Sequence, residues 1–578
     1  MKALSYTHNG HPEQWTASGV LALADGDTVA IDLKSGGHWY GHGFNHHQHY
    51  PWETGELSNP GFAVNNIQSP IWLASAGFVI LADTKAILDV SINHQGNGQL
   101  LIRTNFARVN VRIFQGATLA AAHAAAMAHL GGFLQAPEES LLGDSFFCTW
   151  TQYPRCLTQE RIVAMAREIR KHGYPCSRLI IDDRWESCFG ELSFAKDFPN
   201  PQGMFEELHA LGFKVWLWVT PFVNQEAEGF AELAQQKVLV LRRDGSGAAL
   251  MRWWGGTAGL VDVTNPVGRD WYRGKLKELQ ALGADGFKID GGDYKYQPAA
   301  EIAQWHEFKG ESGYSDELLS VFEEVAPGQC ETRTAWLSQR RNILWRQGGK
   351  DSHWGSDNGL RAMIALGLHM SLMGYDIFIP DMIPGRVQTM ASDFPLPSDE
   401  LMVRWTEASV FMPIPQFSYL PWNYAAGTEA VVRAYAQLHK ALQPYLAQHA
   451  RGRTKPLLRP VWYDFPGEEN LYTVQDQWLL GPDLLVAPVV VAGATARRVV
   501  LPPGSWIDAW TLEVHSGGTI ENHPAPCPGI PLFVREENPE LLRLLNAALA
   551  SLAQSHVPSL VTSTTYQAGL DRDLSVTG

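Results

Sequence analysis

The chain is poor in the features that mark several protein classes. Its 578 residues hold six cysteines: Cys148, Cys156, Cys176, Cys188, Cys330 and Cys527. None forms a Cys-x-x-Cys pair, which argues against a disulfide-framed scaffold or a zinc site and predicts reduced thiols in a cytoplasmic protein. Lys and Arg number 45 against 60 Asp and Glu, a net charge of -15. That balance argues against nucleic acid or an anionic membrane as partner, because both require clustered cations. No run approaches the ~20 apolar residues that span a bilayer. The opening Met1-Lys2-Ala3-Leu4-Ser5-Tyr6-Thr7 lacks the apolar core of a signal peptide. No GxGxxG follows a strand, so no phosphate-cradling loop is expected, nor any cofactor. His38, His42, His46, His47 and His49 cluster, but their spacing fits no metal-ligand template. The Gly and Asn around them predict a polar loop, and no metal is expected.

What is present describes an ordinary folded protein, 45% hydrophobic and 18% charged, long enough for roughly three or four domains. Tryptophan is unusually frequent, 21 residues, and broad indole rings suit the apolar faces of sugars. Residues 1–135 read as short strands bounded by Gly, Asp and Asn, a β-sandwich closed by an Ala-rich helical connector at 117–130. From 143 to 450 strands alternate with helices, around an irregular insertion at 224–262. Such alternation predicts parallel strands and a (β/α)8 TIM barrel. Residues 451–537 return to β, read as a second sandwich, and 538–578 as a short helix and a tail. The fold class is therefore α/β, a TIM barrel flanked by an N-terminal and a C-terminal β-sandwich.

Two carboxylates stand out within the barrel. Phe287-Lys288-Ile289-Asp290 is a strand-like run ending at an acid and two glycines, the way a barrel strand delivers a side chain to its C-terminal mouth. Asp351 follows a second run, Asn342-Ile343-Leu344-Trp345. Two carboxylates from different strand ends are the minimum equipment for cleaving a glycosidic bond. Lys288, which shares a strand face with Asp290, or a nearby arginine such as Arg333 is expected to keep that carboxylate ionised. Trp354 is expected to desolvate the acid. Trp150 and Trp254 are candidates to line a sugar site. Leu179-Ile180-Ile181-Asp182-Asp183 delivers two more acids at a strand end.

Taken together, these motifs resemble glycoside hydrolase family 31 over nearly the whole length. Lys288-Ile289-Asp290-Gly291-Gly292-Asp293 stands where the family has its nucleophile motif, and Asp262-Val263-Thr264-Asn265-Pro266 fits its Asp-x-Thr-Asn-Pro. Thr332-Arg333-Thr334, Arg404-Trp405-Thr406-Glu407 and Leu480-Gly481-Pro482-Asp483 complete the ordered set. The resemblance implies that Asp290 is the nucleophile of a retaining double displacement. The acid/base pattern falls on Trp345–Trp354, where Gly349 occupies the family's Asp position; Asp351 is the first candidate for the role and Asp357 the second, the latter reading also as the cap of the next helix.

Departures from the family's α-glucosidases carry specificity information. Lys288 replaces their Trp, and Gln416-Phe417-Ser418 stands where they have Arg-x-His. Together with Lys350-Asp351-Ser352 and Pro380-Asp381-Met382-Ile383, these residues are similar to the branch that contains myogenesis-regulating glycosidase, which implies α-galactosidase activity. Asp182-Asp183-x-Trp185 and Lys288-x-Asp290 likewise resemble galactose-binding signatures of families 27 and 36, whereas Asp293 stands where the branch usually has Glu. The substrate-binding set is accordingly Asp182, Asp183, Lys288, Arg333, Trp150, Trp254, Trp354, Asp381 and Gln416. The expected partner is an α-linked oligosaccharide or glycoside, and a homo-oligomer is left open. An α-glucosidase or other α-hexosidase, a transglycosylase and a catalytically silent sugar-binding protein stand as alternatives.

Overall fold

The computed structural model describes residues 3–43, 48–59, 67–86, 88–104, 108–134, 136–153, 156–308, 310, 312–386 and 396–554. His46, His47, Ile87 and the expected tail from 555 lie outside the described residues. Two N-terminal antiparallel sheets, of six and five strands, face each other. They share one core in which Val29, Ile31 and Ile102 of the first meet Trp72, Ile80 and Val111 of the second. The alternating buried and exposed pattern of Leu88–Ile92 and Gln99–Thr104 produces this geometry, since period two sends every second side chain inward.

The central unit is a nine-strand parallel sheet: β1 (Phe146–Cys148), β2 (Arg178–Ile181), β3 (Lys214–Val219), β4 (Gly286–Ile289), β5 (Cys330–Thr332), β6 (Leu344–Arg346), β7 (Phe378–Ile379), β8 (Met382–Ile383) and β9 (Gln416–Phe417). Its order is β7-β6-β5-β4-β3-β2-β1-β9-β8. The closed eight-stranded barrel expected from the sequence is thus an open, TIM-barrel-like ladder, and its two edges are consecutive in the chain. Pro380-Asp381 causes the break: proline offers no ladder N–H, and Asp381 has φ +68°, a left-handed conformation that Asp tolerates better than most residues.

Local chemistry sets the crossovers. Thr158 caps the helix Gln159–Lys171 by accepting the Arg161 N–H at 3.3 Å. The Asp-x-Thr-Asn-Pro motif proves to be a turn and a cap. Asp262 accepts from the Thr264 N–H and hydroxyl (3.1 and 2.5 Å), Asn265 caps Pro266–Leu282, and Pro266 fills the first turn. Gly286 opens β4, where a side chain would collide with the carbonyl of Gln329 and the Trp216 ring. The insertion folds into a small sheet of Phe222–Asn224, Gly256–Leu260 and Leu250–Trp253 with the helix Phe230–Gln235.

The C-terminal segment is one six-stranded sheet, not the expected sandwich. Ala496–Asp508 is long and bulged and pairs with both Val514–Pro524 and Leu532–Arg535, which draws the candidate strands into a single ladder. The barrel supplies the opposing layer: the Trp478 indole donates to the Phe411 carbonyl at 2.9 Å. On the other side the N-terminal domain pins the loops beyond β5 and β6. The Trp336 indole donates to the Thr84 carbonyl (2.7 Å), and the Gln48 N–H donates to the Ser356 carbonyl (2.8 Å).

Candidate active site

Asp290 follows β4 directly, its N–H bonded to the Val219 carbonyl at 2.9 Å. Gly291 and Gly292 both have φ near +85°, and a side chain at either would strike Phe222 or Leu318. The glycines therefore let the chain turn sharply away and leave the carboxylate at the strand mouth. One carboxylate oxygen accepts the Trp218 indole N–H at 3.0 Å; the other forms a close ion pair with Arg333 Nε. Burial pushes the acidity of Asp290 toward the neutral form. Arg333 first, then Arg346, Trp218 and Lys288 outweigh it and hold the group below the usual carboxylate range.

Of the two stabilisers that the sequence offers, Arg333 ranks first and Lys288 last among these influences. Lys288 is engaged elsewhere. It lies 2.7 Å from Asp182 and 3.8 Å from Glu331. Burial disfavours its charge, but Asp182 and the other partners raise its affinity for a proton above the ordinary lysine value. Glu331 in turn meets Arg346 Nε at 2.9 Å, a close approach without hydrogen-bond alignment, and Arg346 reaches Asp381 at 3.4 Å. A belt of alternating charge, Asp182–Lys288–Glu331–Arg346–Asp381, thus crosses the barrel interior with each member at most 3% exposed. Charges buried this deeply persist only when paired, so the belt is rigid. The Gln416 amide donates to Glu331 at 3.2 Å, and the Cys148 thiol lies 3.1 Å from Asp182. Burial and Asp182 both disfavour the Cys148 thiolate, which leaves the thiol as donor.

Asp183 accompanies Asp182 at the end of β2. Burial, the Asp182 charge and the Asp290 charge push it up to about 7. Asp293 is buried and accepts the Thr334 hydroxyl at 2.6 Å. The second candidate carboxylate, Asp351, has a side chain 17% exposed, with the Asn358 amide donating to it at 2.9 Å and Arg386 at 4.0 Å. Asp357 has a side chain 53% exposed, 3.7 Å from His353. Its reading as a helix cap fails: the helix Leu360–Leu372 is capped by Gly359 with no side-chain hydrogen bond. Lys350 is wholly buried, donates to the Gly348 carbonyl at 2.9 Å, and is brought down by burial to about 8.

The tryptophans fall into place around these groups. The Arg333 guanidinium lies 5.1 Å from the Trp254 ring centre, and Arg386 lies 5.7 Å from Trp150. Asp290 and Asp351 therefore each have an arginine beside them that also lies near an indole. Trp354 packs partly buried against the core. The histidine cluster does not form one polar loop: His42 lies fully buried in the strand Trp39–Gly43 and stacks on Trp72. Among the described residues, no group of three or more His, Cys, Asp or Glu is placed to hold a metal ion. Sequence reasoning missed Trp218, Glu331, Arg346, Cys148 and Asn358. A lone charge inside a buried strand, as at Glu331 and Arg346, was the available signal, since such a charge must find a partner.

Loss of the Arg333 charge has a consequence that can be measured. The lowered pKa of Asp290 keeps it ionised below the usual carboxylate range. In Arg333→Gln the carboxylate takes up its proton at higher pH, so the acidic limb of the kcat/KM profile is expected to move upward. A pH–rate profile of both proteins checks this, and an unmoved limb would assign the ionisation to another group.

A parallel sheet whose strands end in acids and bases at one mouth, with one carboxylate held between a guanidinium and an indole, defines a glycosidase-type barrel. The chain belongs to glycoside hydrolase family 31 and is a glycoside hydrolase: residues 141–449 match the glycosyl hydrolases family 31 TIM-barrel domain, 454–538 the family's C-terminal domain, and 4–121 the myogenesis-regulating glycosidase N-terminal domain. It is 31% identical over 504 residues to myogenesis-regulating glycosidase of Mus musculus, covering 81% of this chain and 70% of that protein. It is 30% identical over 384 residues to a 1,3-alpha-isomaltosidase of Kribbella flavida, covering 60% of this chain and about half, 51%, of that enzyme. The solved GH31 dextranase of Flavobacterium johnsoniae, complexed with glucose, shares the fold with a TM-score of 0.76 at 22% identity, over 90% of this chain and 67% of that one.

Proposed function

We propose that the chain is a retaining, exo-acting α-galactosidase. The observation that carries the sugar choice is the Asp182–Lys288 pair, a buried acceptor and donor 2.7 Å apart, standing where family α-glucosidases have a tryptophan wall. Galactose differs from glucose by an axial hydroxyl at carbon 4. A site built to bond a hydroxyl in one position rejects the epimer, because buried polar groups are then left unpaired. Asp183 and Gln416 add further polar atoms to the same floor.

In this reading Asp290, kept ionised by Arg333, attacks the anomeric carbon while Asp351 protonates the departing glycosidic oxygen. The resulting glycosyl ester is then hydrolysed by a water that Asp351, now a carboxylate, deprotonates, and Asp290 is released with the anomeric configuration retained. Asp351 is preferred to Asp357 because the Asn358 amide and a backbone bridge to Arg386 hold it, whereas Asp357 faces solvent beside His353. Retention calls for carboxyl groups about 5–5.5 Å apart. The same intermediate can pass its sugar to another sugar, which makes transglycosylation the second reading. The six unpaired cysteines support a reducing location.

Nitrophenol release tests the sugar choice. kcat/KM for the aryl α-galactoside is expected to exceed that for the α-glucoside by at least ~100-fold, which corresponds to about 3 kcal/mol. A better α-glucoside would overturn the galactose reading while leaving the retaining mechanism standing.

A further inference from the structure

We propose that a second site, remote from the barrel mouth, binds a doubly charged oxyanion of the phosphate or phosphate-ester type. Helix Ala426–Ala450 follows β9 and runs back from the mouth, so its C-terminal end reaches the far side of the barrel. There, against the C-terminal sheet, lies a cleft of about 480 Å³. Arg451, Arg453, Lys455, Arg459 and Arg535 line it, and Asp464 is the one acidic residue among those that do. So dense a set of cations is out of keeping with a chain of net charge -15.

Most of these cations have an internal task. Arg453 grips Asp376 with two nitrogens, at 2.6 and 2.8 Å, and also bonds the Ala450 carbonyl at 3.0 Å, which offsets the helix C-terminus. Arg451 pairs closely with Glu139, and Lys455 lies 2.7 Å from Asp464. Arg459 and Arg535 are different. Arg459 approaches Asp464 at 3.3 Å through Nε without hydrogen-bond alignment, although its side chain is only 7% exposed. Arg535 uses Nε alone, toward the Pro482 carbonyl at 3.3 Å. Among the described residues, the Nη atoms of both arginines bond no protein acceptor.

The Arg535 guanidinium also lies 5.1 Å from the Phe465 ring centre and 4.9 Å from that of Trp506. A guanidinium beside two aromatic rings, with its outer edge unused, suits bidentate contact with a phosphate or sulfate oxygen pair. The unused edges of Arg535 and Arg459, lining one cleft, fit an oxyanion that carries two charges. Charge-assisted bonds from two guanidinium edges to one oxyanion are stronger than the neutral hydrogen bonds to water that they replace.

Titration calorimetry of the full chain with inorganic phosphate, at constant ionic strength set by chloride, tests the proposal. Saturable binding is expected. Arg535→Lys keeps the charge but loses the fork, and Arg459→Gln loses the charge; each should weaken binding by at least ~10-fold while leaving turnover of the aryl α-galactoside unchanged. A hexose phosphate serves as the second arm: tighter binding than phosphate marks an ester as the ligand, and equal binding marks the free anion. No saturable heat with either probe, or undiminished binding in both variants, would overturn the site.

Discussion

Replacing Asp290 with alanine is expected to abolish turnover of every glycoside, lowering kcat by about 10⁴-fold or more, because no glycosyl-enzyme can then form. The loss should not depend on the leaving group. The nucleophile is missing whether the aglycone departs easily or not. Asp351→Ala is expected to behave differently. A nitrophenolate needs little protonation, so the first step on an aryl substrate should be largely spared, while an unactivated disaccharide loses the acid and slows by about 10²–10⁴-fold. Azide should then accelerate sugar release from the Asp351→Ala protein, since it attacks the intermediate without a general base. Steady-state rates on one activated and one unactivated substrate check both variants. Equal losses on the two substrates in Asp351→Ala would remove the acid role from that residue.

Lys288→Met should be nearly as damaging, by a different route. The lysine stands 2% exposed between Asp182 and Glu331, so the substitution leaves two acids in the barrel interior short of their cation. Breaking a buried pair in this way costs about 3–5 kcal/mol, on the order of 5–10 °C in the thermal transition of a domain this size. The α-galactoside preference should collapse as well, because the donor that meets the sugar floor is gone. The acidic limb of the pH profile should move less than in Arg333→Gln, since Lys288 ranks behind Arg333 and Arg346 among the groups that hold Asp290 ionised. Calorimetric scanning together with the two-substrate ratio reads out both effects. A stable variant that keeps the wild-type preference would remove Lys288 from sugar selection.

Much of the layout was legible because it rests on local signals. The alternation of strands and helices, the acid-Gly-Gly end of β4 and the Asn265-Pro266 helix start each follow from a few adjacent residues. The failures are of another kind. Ala496–Asp508 joins two ladders through bulges, which no short-range pattern announces, so one sheet was read as two. Pro380-Asp381 lies at the end of an apolar run, which does not announce that the ladder stays unpaired there. Glu331 and Arg346 escaped notice because their partners are distant in the chain: Lys288, 43 positions before Glu331, and Asp381, 35 positions after Arg346. The cap reading of Asp357 failed because Gly359 starts the helix, leaving Asn358 free to hold Asp351.

The most direct test of the central claim is to trap the intermediate with a ring-fluorinated α-galactosyl fluoride and to map the modified peptide by mass spectrometry. A retaining enzyme with Asp290 as nucleophile is expected to gain the mass of one fluorogalactosyl group, carried on the Asp290 carboxylate. A label on any other carboxylate, or an unlabelled protein that nevertheless releases fluoride and sugar with inverted configuration, would contradict the account.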